Sequence, residues 1–182
     1  MATFLNLTNK LLRELNEVVL TSANFSNAVG IQQHTKDSVM KVAEYHSNSD
    51  IRIKKISRPL IKEKEILVKM QACGICGTDV MEWYRKSSAP KVLGHEMSGE
   101  ICEIGKNVEV FKISDRVFVS HHVPCFDCYY CNNEKFSACN SLHTGNFFPG
   151  GFSEYIRIPE ENVKYGTFIL PNDMTFDEAT MI

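Results

Sequence analysis

Residues 94–108 read GHEMSGEICEIGKNV. His95 and Glu96 stand side by side at the start, and the stretch then runs into a strand-like segment bounded by glycine. The same texture continues on both sides. Upstream, MKVAEYH from Met40 and IRIKKIS from Ile51 alternate, with Ile51 and Ile53 on one face, and EILVKMQA follows. Downstream come DRVFVSH, FSEYIRIP and VKYGTFILP, punctuated by Gly, Pro, Asn and Asp. Many short strands at such spacing predict a mainly β architecture, a barrel or a sandwich. TDVMEWYRK is the one helix expected among the strands, opened by Thr78 or Asp79 as a cap.

The 182 residues amount to one domain, with room for an appendage. Lys and Arg number 20 and Asp and Glu 22, a net charge of −2, so no electrostatic footprint for nucleic acid or an anionic membrane is present. Hydrophobic residues are 43% and charged residues 23%, which excludes wholesale disorder. No apolar run approaches the roughly 18 residues of a transmembrane helix, and none makes a signal-peptide core. A cytoplasmic location is expected. Seven cysteines, an odd count without a secretory signal, favour metal ligation or catalysis over a disulfide scaffold.

Residues 1–39 stand apart, with five Asn, one Gly and neither Pro nor Cys. Leu7, Leu11, Leu12, Leu15, Val18 and Val19 recur at helical spacing after Thr8, predicting an amphipathic helix over about 8–20 and a polar tether through Asp37. At the other end Thr175 and Glu178 have capping-box spacing, so a helix is expected to begin there. Residues 40–182 are thus expected to form one domain that stops within its C-terminal helix, leaving the apolar side of that helix uncovered.

Two groups of residues carry chemistry. CFDCYYCNNEKFSAC sets Cys125, Cys128, Cys131 and Cys139 at C-x2-C-x2-C-x7-C, four thiolates within fifteen residues. Such a set closes a tetrahedral zinc site with no open position, a structural site. An iron–sulfur run would end in x3 and Cys-Pro, which does not occur here. His121 and His122 precede this lobe and are either partly exposed loop histidines or part of a substrate cleft.

Cys76 and His95 supply one thiolate and one imidazole. With Glu96 as a third ligand they suit an open, catalytic zinc. The Cys73–Cys76 C-x-x-C spacing leaves a redox pair as the competing reading, without the βαβ context it needs. Thr78 stands where a hydroxyl would pass a proton outward, and Asp79 where a carboxylate would hold the second N–H of His95. Trp83 and Tyr84 either line the cleft or belong to the core.

With these residues in view, the chain is similar to a known family. GHEMSGEICEIGKNV matches the zinc alcohol dehydrogenase signature G-H-E-x2-G-x5-G-x2-V at Gly94, His95, Glu96, Gly99, Gly105 and Val108. CGICGTD, the four-cysteine lobe and GGFSEYIRIP follow in that family's order. Residues 40–182 therefore resemble the N-terminal catalytic half of a medium-chain, zinc-dependent dehydrogenase, closest to the sorbitol (polyol) and threonine dehydrogenase branches. The resemblance implies a GroES-like barrel with two zincs per chain, a small alcohol or polyol substrate, and hydride transfer to NAD or NADP. It also implies a homo-oligomer or a Rossmann-domain partner. Two departures stand out. Some alcohol dehydrogenases have a relay histidine where this chain has Met81, and the G-x-G-x-x-G of a following Rossmann domain is absent from the 182 residues. By themselves these residues are not expected to turn over. The alternative is a stand-alone zinc-binding module, inactive alone, that pairs with another chain. A co-chaperonin reading of the same barrel leaves the proposed metal ligands unexplained.

Overall fold

The computed structural model describes residues 38–144 and 147–182. The expected helix at 8–20, the tether and nearly all of the 1–39 extension lie outside the described residues.

The strands are β1 (Val39–Ser47), β2 (Asp50–Ser57), β3 (Ile66–Gly74), β4 (Lys91–Val92), β5 (Glu96–Ile104), β6 (Arg116–Val119), β7 (Tyr155–Ile158) and β8 (Thr167–Ile169). They form two antiparallel sheets, one in the order β2-β1-β4 and one in the order β7-β3-β5-β6-β8. The larger sheet buries Ile66, Val68, Met97, Ile101, Val117, Val119, Ile156 and Ile158 in one cluster. Val42, Tyr45, Leu93 and Phe152 anchor a second cluster against the smaller sheet, and Cys73 packs against both. Burying each such side chain contributes about 1.5–3 kcal/mol. The segment 150–154 stitches the sheets together: the N–H groups of Ala43 and Met70 donate to Phe152 O (2.9 Å) and Glu154 O (3.0 Å).

Ile51 is buried, but Ile53 is 36% exposed, because β2 is an edge strand that runs off the core. The TDVMEWYRK segment is not one helix. A 3₁₀ turn (Gly77–Val80), helix α1 (Glu82–Arg85) and a second 3₁₀ turn (Lys86–Ser88) succeed one another. Met81, at φ −80° and ψ 84°, breaks the run. The N-cap is Cys76, not Thr78 or Asp79, since the Asp79 carboxylate folds back onto the Cys76 N–H (3.0 Å). VKYGTFILP divides likewise. Val163–Tyr165 finish helix α4 (Glu160–Tyr165), and only Thr167–Ile169 pair as β8.

The cysteine lobe carries helices α2 (Tyr129–Asn132) and α3 (Asn140–Thr144), separated by a 3₁₀ turn (Phe136–Ala138). Helix α5 (Phe176–Ala179) begins at the expected cap: Thr175 N donates to Glu178 Oε2 (2.8 Å) and Glu178 N to Thr175 Oγ1 (3.2 Å). Its Ala179 is fully buried against Phe118 and Leu170, whereas Met181 and Ile182 are exposed. Among the described residues no helix is long and apolar enough to cross a membrane.

Candidate functional site

Strand register builds the open centre. β3 and β5 pair so that Gly74 faces Glu96. The chain leaving β3 reaches Cys76 two residues later, and the chain entering β5 has just passed His95. The two arms therefore meet at the end of the ladder, and the donor atoms of Cys76, His95 and Glu96 lie within 4.8 Å of one another. Glycine is needed at two points here. A Cβ on Gly74 would stand 2.5 Å from Glu96 Oε2. Gly94 has φ +91°, and a Cβ there would stand 2.9 Å from Cys73 Sγ. One thiol, one imidazole and one carboxylate grouped this closely fit zinc with a position left open.

Asp79 is buried beneath the centre. Its Oδ2 accepts from Cys76 N and its Oδ1 from Arg85 Nη2 at 3.3 Å, leaving His95 Nδ1 at 3.8 Å from Oδ1. Burial raises the Asp79 carboxyl above the ordinary carboxylate range, while His95, the Cys76 N–H and Arg85 pull it down. Arg85 also donates from Nε to Thr78 O and from Nη2 to Thr78 Oγ1, both at 2.9 Å. Burial likewise raises the Cys73 thiol, so Cys73 stays a protonated, packed side chain.

Cys76, Thr78 and His95 line a cleft of about 410 Å³. His121, His122 and His143 also line it; His121 and His122 stand in a loop, the first half-buried and the second exposed. The His121 ring lies 4.4 Å from that of His95 and 3.6 Å from that of His122. Burial, reinforced by His122, His95 and Arg85, pushes His121 down to about 3, and burial also lowers His122. Both rings are therefore neutral near pH 7. Tyr84 reaches the cleft, while Trp83 is 76% exposed and belongs neither to it nor to the core.

The second group closes on itself. Cys125, Cys128, Cys131 and Cys139 bring their donor atoms within 4.8 Å of one another. Sγ separations are 3.9 Å (Cys125–Cys131), 3.6 Å (Cys128–Cys131) and 3.7 Å (Cys139–Cys125). A tetrahedron with zinc–sulfur bonds of about 2.3 Å has edges of about 3.8 Å, so the four sulfurs are spaced for zinc. Backbone N–H groups of Cys125 and Cys128 point at Cys139 Sγ and Cys125 Sγ, both at 3.4 Å. The Cys125 N–H leads the contacts that lower Cys139 to about 6, while burial raises Cys131 to about 12.

Sequence reasoning missed two supporting residues. Arg85 lies nine positions after Cys76 with nothing in its local pattern to mark it. Asn162 is 1% exposed and donates from Nδ2 to Ser120 O (2.7 Å) and His121 O (3.4 Å), holding the loop that carries His121. Nothing in its local pattern, EENVKY, marks it in the sequence.

Residues 62–166 match the model of the alcohol dehydrogenase GroES-like domain. The chain is 33% identical over 158 residues to a sorbitol dehydrogenase of Bacillus subtilis, covering 82% of this chain and 43% of that protein. It is 41% identical over 130 residues to an L-threonine 3-dehydrogenase of Caldanaerobacter subterraneus, covering 67% of this chain and 37% of that protein. Among solved structures, an alcohol dehydrogenase from Escherichia coli complexed with NADH superposes with a TM-score of 0.65 at 30% identity, over 79% of this chain and 42% of the other. The chain thus spans about two fifths of the length of the relatives it matches.

Proposed function

The chain belongs to the zinc-dependent medium-chain alcohol dehydrogenases through their N-terminal GroES-like domain, and from that premise we propose that it is the catalytic half of an NAD(P)-dependent alcohol or polyol dehydrogenase. The observation that carries this reading is the Cys76, His95 and Glu96 donor set, of which Cys76 and His95 line the cleft. We read two zinc sites per chain, a structural one at Cys125, Cys128, Cys131 and Cys139 and a catalytic one at Cys76, His95 and Glu96.

Zinc bound at the catalytic set would supply Lewis-acid polarisation of a substrate hydroxyl. The chain's own residues do the rest. Asp79 Oδ1, 3.8 Å from His95 Nδ1, is too far for the expected hydrogen bond and acts on that side of the ring through its charge, which would leave Nε2 for the metal. Thr78 lines the cleft, and its hydroxyl takes up the substrate proton as its own proton passes outward. Met81 has no group that can continue that path, so the proton leaves to water at the cleft mouth. His121 and His122, neutral near pH 7, offer hydrogen bonds to substrate hydroxyls without adding positive charge. The nicotinamide is held by a Rossmann unit outside these 182 residues, in a longer polypeptide or a partner chain. The seven unpaired cysteines suit a reducing compartment, and we assign the protein to the cytoplasm.

Metal analysis and NADH formation test this. Two zincs per chain are expected, and polyol-dependent NADH absorbance is expected only when a Rossmann-domain unit completes the enzyme. One zinc at most, or no turnover by the completed enzyme with any alcohol, favours the inert zinc-binding module instead.

A further inference from the structure

Arg85 ends α1, and its side chain turns back over the residues that open the catalytic turn. The fork is fully committed on that side. Nε donates to Thr78 O, and Nη2 donates to both Thr78 Oγ1 and Asp79 Oδ1. The side chain is only 14% exposed, and Cζ lies 4.9 Å from the Tyr84 ring centroid. A lysine could not make this set of contacts, because they need two donors held in one plane.

A threonine hydroxyl has one proton and two lone pairs. Thr78 gives one lone pair to the guanidinium. One acceptor site and one proton remain, and Thr78 lines the same cleft as Cys76, His95 and Arg85 itself. We propose that Arg85 is a positioning residue for Thr78: it fixes the Thr78 side chain in one rotamer and leaves it with a single acceptor site and a single donor. This rests on the reading of the cleft as the alcohol site. Thr78 then accepts the proton of the substrate hydroxyl on its remaining lone pair while its own proton passes to water, so it ends the step as it began. The adjacent positive charge favours the moment at which the Thr78 oxygen is poorest in protons. Without Arg85 the hydroxyl has no fixed partner and its rotamers exchange.

Three-bond couplings of the Thr78 methyl group, read by NMR in the zinc-loaded chain, report its χ1 directly. A single rotamer is expected in the wild type and averaging in Arg85→Ala. Arg85→Lys retains the charge opposite Asp79 and guards against a folding defect; averaging is expected there as well, with the melt still cooperative. In the cobalt(II)-loaded chain, titration with trifluoroethanol monitored by the cobalt visible bands adds a ligand readout. Arg85→Ala is expected to weaken binding about tenfold, in keeping with a lost charge-assisted hydrogen bond, and to have less than about a twofold effect in a Thr78→Val background. One Thr78 rotamer in Arg85→Ala, or an equal penalty in both backgrounds, overturns the proposal. A cobalt spectrum indifferent to Cys76→Ser removes the metal reading instead, and the Thr78 couplings still decide the role of Arg85.

Discussion

The lobe of four cysteines and the Cys76, His95 and Glu96 centre are built by opposite routes. The lobe gathers four like donors from fifteen consecutive residues, one on a four-residue helix and three in the turns around it, with a five-residue helix following. Such helices are too short to stand alone, and much of the lobe's apolar surface, including Phe126, Tyr129 and Phe136, is exposed. The open centre gathers three unlike donors at the end of a β3–β5 ladder whose strands are deeply buried. A metal is expected to hold the lobe together, whereas at the open centre the fold is expected to hold the metal.

Breaking a lobe ligand tests that contrast most strongly. Cys128→Ser is expected to unfold the lobe, because a closed site commits binding energy on the order of 10 kcal/mol to folding. Loss of the lobe's dispersed amide resonances, together with a large drop in thermal midpoint, is the readout. Cys76→Ser is expected to remove one of two zincs by elemental analysis while the melt stays cooperative and near the wild-type midpoint. Equal unfolding by both substitutions would erase the distinction.

Asp79→Asn sharpens the same comparison at smaller scale. Weakening the group behind His95 is expected to lower metal affinity at the open centre by about 10–100-fold, with the lobe's affinity unchanged in competition against a chelator. The smallest effect concerns His121. Its folded form resists the proton that an ordinary histidine, at 6.5, takes up. Stability from this residue is therefore complete above about pH 6.5 and is lost as pH falls towards about 3. Denaturant unfolding across that window should show His121→Gln with a shallower acid slope than the wild type, the common loss from the zinc ligands cancelling between them. Parallel slopes would mean that the ring is solvated and not packed against His95.

Much of this was legible in the residues. The lobe's four thiolates are close in sequence, so spacing alone defines them. Alternating strands located most of both sheets, because a period of two survives without knowledge of the partner strand. The break in TDVMEWYRK was not legible. Helix-favouring residues there are overridden by the Asp79 carboxylate turning back to the Cys76 N–H and by Arg85 gripping Thr78. VKYGTFILP misled for a related reason: apolar residues shared between a helix end and a short edge strand resemble one longer strand.

What the sequence determined by itself was local: the four clustered cysteines of the lobe, the capping box at Thr175 and the β texture. The tertiary structure decided which distant groups meet. That the His121 ring lies against that of His95, that Asn162 pins the His121 loop, and that Arg85 reaches back to both Thr78 and Asp79 depend on strand register and on loop paths across the barrel. Pairings of that kind arise from burial and from hydrogen-bond satisfaction over the whole core, and no short window of sequence contains both partners.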